Sequence, residues 1–279
     1  PALIILMGPT NEGTFTQQQL DELRAQLGTD KPLVVQYWDW ISGTLQGDFG
    51  PSVLYEGISI ADELKLRFPV NLELAILAVV ISFVLGVPIG VVTAMGRDTW
   101  IDYAGKIFTI SGISVPGFWF AILMVYAMTR FWGWLPPLIY MHIWEDPWTN
   151  FKQVIFPAFA LGFRNVALMA RLQRSTMLEV LQEDFVRTAR AKGLSERIVL
   201  FRHALKNAIL PVLTVSGLEV AGILGGSIII EVIFILPGIG QLTINSIGIR
   251  DYNIIQAVVL LAAVIVLSVN LLVDLLYGL

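Results

Sequence analysis

Five long apolar runs constrain what this chain can fold into. They are LELAILAVVISFVLGVPIGVVTAM (72–95), IFTISGISVPGFWFAILMVYAM (107–128), QVIFPAFALGFRNVALMA (153–170), AILPVLTVSGLEVAGILGGSIII (208–230) and IIQAVVLLAAVIVLSVNLLVDLL (254–276). A helix needs about 20 mostly apolar residues to cross the hydrocarbon core of a bilayer. Inside lipid the backbone must satisfy its own hydrogen bonds, and each run is far longer than a barrel strand, so the runs are read as helices. The expectation is an all-α membrane protein with five visible transmembrane helices, the third interrupted by Arg164 and Asn165. The composition agrees: 56% of residues are hydrophobic and 14% charged, where soluble domains carry about 25% charged residues. The chain has no cysteine, which excludes disulfides and Cys-ligated metal sites.

Orientation follows from the Lys and Arg of the short loops. Arg171, Arg174, Arg187, Arg190, Lys192, Arg197, Arg202 and Lys206 fall in one loop, eight of the chain's 18 cations. The loops near Glu145 and Asp146 and from Glu231 to Asn253 are cation-poor. The basic loop is therefore placed in the cytoplasm and residues 1–70 outside. An outside start without a signal segment implies one more span before Pro1, six in all. In the external segment Thr16-x-x-Gln19 fits a capping box, with Leu20, Leu23 and Leu27 on one face and Gly28 as a stop. Pro32 opens a second helix carrying Val34, Tyr37, Ile41 and Leu45, and residues 58–68 suggest an amphipathic helix at the membrane surface. This segment is expected to form a packed cap.

The basic loop has its own pattern. Phe185, Val186 and Ala189 give a first short helix an apolar face, and Gly193 supplies a left-handed residue that ends it. Ser195 is placed to cap a second helix in which Ile198, Phe201, Leu205 and Ala208 recur at helical spacing, with Pro211 beyond it. A helix–glycine–helix with apolar ridges and a basic surround suits docking into a groove on a soluble partner. A positive-inside loop that only fixes topology remains the other reading.

RTARAKG (187–193) followed by RHALKNAILP (202–211) resembles the EAA loop of binding-protein-dependent ABC transporter permeases. More narrowly, the chain is similar to the first permease subunit of dipeptide and oligopeptide importers, the peptide/nickel branch. PALIILMGPTN, GDFGPS (47–52), RFPVNLELA (67–75), RSTMLEVLQEDF (174–185) and LPGIGQL (236–242) extend the match along the chain. Where other members often carry serine and tryptophan before Pro-Gly, this chain has Ile235 and Leu236. The resemblance implies a type I ABC importer transmembrane domain over 66–279, after an external helical cap over 1–65. It implies a coupling loop over 174–206, with Arg187, Thr188, Ala189, Lys192, Gly193, Leu194, Ser195 and Phe201 facing an ATPase. Implied partners are a homologous second permease, two cytoplasmic ATPases and an external solute-binding protein. The implied setting is the cytoplasmic membrane of a prokaryote, and the implied cargo a dipeptide or oligopeptide moved by alternating access.

No Walker A pattern occurs, since Gly105-Lys106 lacks both the first glycine and the following hydroxyl. The chain is thus expected to be a transport subunit and not an enzyme, with no cofactor. His142 and His203 are the only histidines and form no HExxH or metal cluster. GILGGS (222–227) suggests close helix packing through small residues. Charged residues inside spans are functional candidates because burying them is costly. Arg164 and Glu219 are such candidates, as a buried pair or as pathway groups meeting a peptide's termini; Asp274 is placed at an interface. An ion-driven secondary transporter and an intramembrane enzyme are the competing classes. The first is disfavoured by the absence of an internal repeat, the second by the absence of a catalytic arrangement. Nickel chelates, glutathione and oligosaccharides are the alternative cargoes.

Overall fold

A computed structural model of the chain describes residues 16–26, 29–50, 52, 59–224 and 227–277. The elements are α1 (Gln17–Gln26), α2 (Leu33–Leu45), α3 (Ile60–Met95), α4 (Trp100–Ser114), α5 (Gly117–Trp132) and α6 (Pro147–Val180). They continue with α7 (Asp184–Ala191), α8 (Glu196–Ala208), α9 (Leu210–Leu224), α10 (Ile228–Phe234), α11 (Ile239–Ile249) and α12 (Tyr252–Tyr277). No strand occurs among the described residues. By length and composition α3, α6 and α12 can each cross a membrane alone, and up to six spans result if each bent helix pair counts as one.

Two of the five runs differ from single straight helices. The second run breaks at Val115, which is extended before Pro116, and α4 and α5 meet at 101°. Pro116 has no N–H and disfavours a helical residue before it, so the apolar run turns there. The fourth run stops at Leu224, and its last residues belong to α10. The loop expected after it is itself helical: α10 and α11 form a sharp hairpin at 96°, turned at Ile235 and Pro237. Residues 60–68 are the first turns of α3 and not a separate surface helix, because Ile60 and Leu64 pack with Ile239, Leu242 and Ile254.

The centre of the molecule is the long parallel contact of α3 with α6, in which Ala78, Gly86 and Gly90 meet Gly162, Val166 and Ala170 in turn. Small residues permit it. A Cβ on Gly86 would lie 2.9 Å from Val166 O, one on Gly90 2.6 Å from Ala170 O, and one on Gly162 2.8 Å from Ala78 O. Close packing was expected instead at GILGGS; there Gly222 faces open space, and Gly225 and Gly226 lie outside the described residues. Around this axis α5 adds Phe120, stacked on Phe163 at 4.0 Å, and Trp134 after α5 meets Phe156 edge-on. The N-terminus of α6 is capped by Asp146, whose carboxylate accepts from the N–H groups of Trp148 and Thr149 and from the Thr149 hydroxyl. These bonds, the hydroxyl's foremost, hold the Asp146 carboxyl below its ordinary range.

The expected capping box is present: Thr16 N donates to Gln19 Oε1 at 2.9 Å, and Gln19 N to Thr16 Oγ1 at 3.3 Å. The start PALIILMGPTN, Gly28 and the Leu20 and Leu23 side chains lie outside the described residues, as does the Asp274 side chain. The cap is not packed as expected, since no residue of α2 is buried.

Candidate functional site

At the end of the bundle where the cations gather, α7 and α8 form the helix–glycine–helix anticipated from sequence. Gly193 has φ +77°, with its N–H bonded to Arg190 O at 2.9 Å, which ends α7 in a left-handed residue. Ser195 occupies the N-cap position of α8 but its side chain makes no capping bond. The junction is held instead by Arg190, whose guanidinium reaches both Glu196 carboxylate oxygens at 2.8 and 3.3 Å. Within α8, residues Val199–Ala204 wind as a π-helix, a rare geometry that concentrates at functional sites.

The inner face of this pair is fixed to the bundle. Val186 and Ala189 of α7, with Val199, Leu200, Ala204 and Ala208 of α8, bury against Ala94 of α3 and Met177 of α6. Thr176 Oγ1 donates to Ala208 O at 2.8 Å, joining α6 to the end of α8. The outer face is left open. Phe201 is 54% exposed, and Phe185, Leu194 and Ile198 are also exposed. Arg187, Thr188, Lys192 and Ser195 are exposed around them, whereas Ala189 is buried. Arg187 touches Asp184 at 3.3 Å and the Thr188 hydroxyl donates to Asp184 O. Of the apolar ridge read from sequence, Ile198 and Phe201 face outward and Ala208 is buried, while Val199, Leu200 and Ala204 carry the inward face of α8.

About one turn of α6 before Met177 lies a charge cluster with no sequence signal. Asp102, in the first turn of α4, is fully buried. Arg174 of α6 binds it through Nε at 2.6 Å and an Nη at 2.8 Å, and Lys106 Nζ lies 2.9 Å from it. The Asp98 N–H adds a fourth donor at 3.1 Å.

Arg164 and Glu219 are not a pair. Glu219 Oε2 accepts from Asn165 Nδ2 at 2.9 Å, and no ion pair joins it to Arg164, which is exposed. The helical step of about 100° per residue turns Asn165 toward α9 and Arg164 away from it. Another carboxylate, Glu231 of α10, is fully buried and carries no signal in the sequence. It accepts from Asn71 Nδ2 at 2.8 Å, Gln241 N at 2.8 Å and the Ser227 hydroxyl at 3.2 Å. Asn71 Oδ1 in turn accepts from Ile239 N at 2.8 Å, so α3 clasps the α10–α11 hairpin. Among the described residues no group of side chains could hold a metal ion. His142 stacks on Trp144 at 4.4 Å as an ordinary loop residue.

Comparison with known proteins gives one consistent set of likenesses. A family model described as "binding-protein-dependent transport system inner membrane component" matches residues 86–279. The glutathione transport system permease protein GsiC of Escherichia coli K12 is 40% identical over 261 residues, 94% of this chain and 82% of that protein. Its counterpart in Salmonella typhi is 40% identical over 256 residues, 92% of this chain and 81% of that protein. Among solved structures, the inward-facing MetNI methionine ABC transporter aligns with TM-score 0.60 at 17% identity, covering 76% of this chain and 94% of that one. An amino acid ABC transporter with histidines aligns with TM-score 0.60 at 18% identity, covering 85% and 97%.

Proposed function

The chain belongs to the binding-protein-dependent transport system inner membrane components, and from that premise we propose that it forms half of a translocation path for a short peptide-like solute, glutathione foremost. It is a permease subunit of an ABC importer, a multi-pass protein of the cytoplasmic membrane and not itself an enzyme. The observation that carries the proposal is the open face of α7 and α8, an apolar patch of Phe185, Leu194, Ile198 and Phe201 ringed by arginines on a helix pair whose back is fixed to the bundle.

That face docks into a groove on a cytoplasmic ATPase. When ATP closes two such ATPases on each other, the load enters through α7 and α8. It passes to α6 through Met177 and the Thr176–Ala208 bond, and from α6 to α4 through Arg174 and Asp102. The helices therefore move as a unit, and differential contact with the ATPase biases the bundle between its two arrangements. A homologous second permease completes the path, and an external binding protein delivers the cargo.

The glutathione reading rests on GsiC, a relative matched over most of the chain. Dipeptides and oligopeptides share the chemistry required, a solute bearing an ammonium and carboxylates. In this reading Glu219, half-buried and held by Asn165, meets the ammonium, and the exposed Arg164 meets a carboxylate. Uptake into proteoliposomes by the assembled transporter with its binding protein tests this. ATP-dependent uptake of labelled glutathione, competed by short peptides, is expected. Uptake of nickel chelates or oligosaccharides with no response to glutathione or peptides would overturn the cargo. Uptake driven by an ion gradient without ATP would overturn the mechanism.

A further inference from the structure

Helix α2 carries an apolar arc that stands exposed. Leu33 is 81% exposed, Val34 80% and Leu45 82%, and Tyr37 and Trp38 share their side of the helix. Gln36, Asp39, Ser42 and Gly43 fill the opposite arc at helical spacing. The polar side is tied locally: Lys31 Nζ lies 2.6 Å from Asp39, and Gln36 Nε2 donates to Lys31 O at 2.6 Å. Tyr37 and Trp40 rings meet at 6.3 Å. A helix of this kind, apolar and aromatic on one side and polar on the other, suits the boundary between acyl chains and headgroups.

The fold puts α2 at that depth. The chain turns directly off its C-terminus, with Asp48 N bonded to Gly43 O at 2.9 Å. Phe49 then packs with Ile60, Ile239 and Ile254, where α3 and α12 begin. Gly50 approaches the Asn253 side chain, and Ser52 Oγ donates to Asp251 Oδ2 at 2.8 Å. Phe49 is the fourth residue after Leu45, so α2 ends within about 14 Å of the start of two spans. From there the exposed Leu66, Leu72 and Ile76 of α3 continue an apolar surface toward the membrane interior.

We propose that α2 lies along the bilayer surface at the end opposite the basic loop, its Leu33, Val34, Tyr37, Trp38 and Leu45 side inserted among the lipids. The occupant of its open side is the lipid headgroup boundary, continuous with the lipid-facing side of α3. The inference needs only the membrane placement of the chain, so its failure would leave the permease assignment intact.

The absence of cysteine gives a clean background for labelling. Val34→Cys, Leu45→Cys and Ser42→Cys each carry a nitroxide in the full transporter, assembled with cysteine-free partner subunits in lipid nanodiscs. Collision with oxygen, which enriches in lipid, is compared with collision by aqueous chromium oxalate. At Val34 and Leu45 oxygen is expected to dominate, with the ratio reversed at Ser42. Should a labelled position impair assembly, Leu33→Cys serves in its place. Dominant chromium oxalate collision at all three positions would place α2 in water and overturn the proposal. Shielding of Val34 and Leu45 from both agents would show that another protein surface covers them, which overturns it equally.

Discussion

Asp102 and Arg174 meet side-on through two hydrogen bonds of 2.6 and 2.8 Å, across 72 residues of sequence, with the carboxylate fully buried. The pair ties the start of α4 to α6 about one turn before Met177, the residue that packs against α7 and α8. Removing one member of a buried pair leaves an uncompensated charge, typically a loss of about 3–5 kcal/mol, whereas replacing both by apolar residues is often tolerated. Arg174→Met is therefore expected to lower the stability of the assembled transporter by that order, with Lys106 recovering part of it. Asp102→Leu combined with Arg174→Met should be milder than Arg174→Met alone. Thermal unfolding of the four members of the cycle checks this, and strictly additive losses would contradict it.

The clasp between Asn71 and Glu231 gives a second expectation. A Cβ on Gly238 would fall on the Glu231 carboxylate and on Asn71 Oδ1. Gly238→Ala should cost about 1–3 kcal/mol through overpacking. Asn71→Leu should cost a similar amount, because Ile239 N–H then loses its buried acceptor and Glu231 one of its donors. Both variants should expose the α10–α11 hairpin to limited proteolysis before the rest of the bundle. Wild-type cleavage in both would sink this role for the clasp.

How much of this was legible in the sequence depended on the range of the interaction. The spans and the turn at Gly193 are local patterns of apolar length and residue type, and they were readable from order alone. The break at Val115 was hidden because Pro116 sits in a run whose hydropathy is unaffected by the turn. Asp102 and Arg174 were invisible because no spacing rule relates residues brought together only by tertiary packing. The Arg164–Glu219 pairing failed for the same reason in reverse: charge picked out Arg164, while helix rotation brought its neutral neighbour Asn165 to the carboxylate. In α8 the buried stripe is Val199, Leu200 and Ala204, and the π-helical turn there is a departure from the 3.6-residue period that pattern reading assumes.

Arg164 and Asn165 should consequently respond differently. Arg164 has an exposed side chain, so Arg164→Met is expected to change stability by no more than about 0.5 kcal/mol. If it meets a cargo carboxylate, uptake should fall several-fold at low solute concentration while assembly is normal. Asn165→Ala removes the donor to Glu219 and should reduce both stability and uptake. Normal uptake by Arg164→Met across the full concentration range would remove Arg164 from the path.

The last prediction isolates the backbone at Gly193. Its φ of +77° lies in the region L-residues rarely adopt, and a Cβ placed there meets nothing within 4 Å. Any effect of substitution must then come from conformational strain and not from a clash. Valine is β-branched and strongly disfavours a left-handed residue, while asparagine visits that region readily. Gly193→Val should therefore rotate α7 against α8 and spoil the open face formed by Phe185, Leu194, Ile198 and Phe201. ATP hydrolysis by the assembled transporter should lose its stimulation by the loaded binding protein, and uptake should fall about tenfold, with membrane insertion unchanged. Gly193→Asn should keep most of both activities. Equal coupling in the valine and wild-type transporters would show that the left-handed turn is dispensable for transmitting the ATPase stroke, and equal loss in the asparagine variant would trace the defect to added side-chain bulk at the ATPase contact.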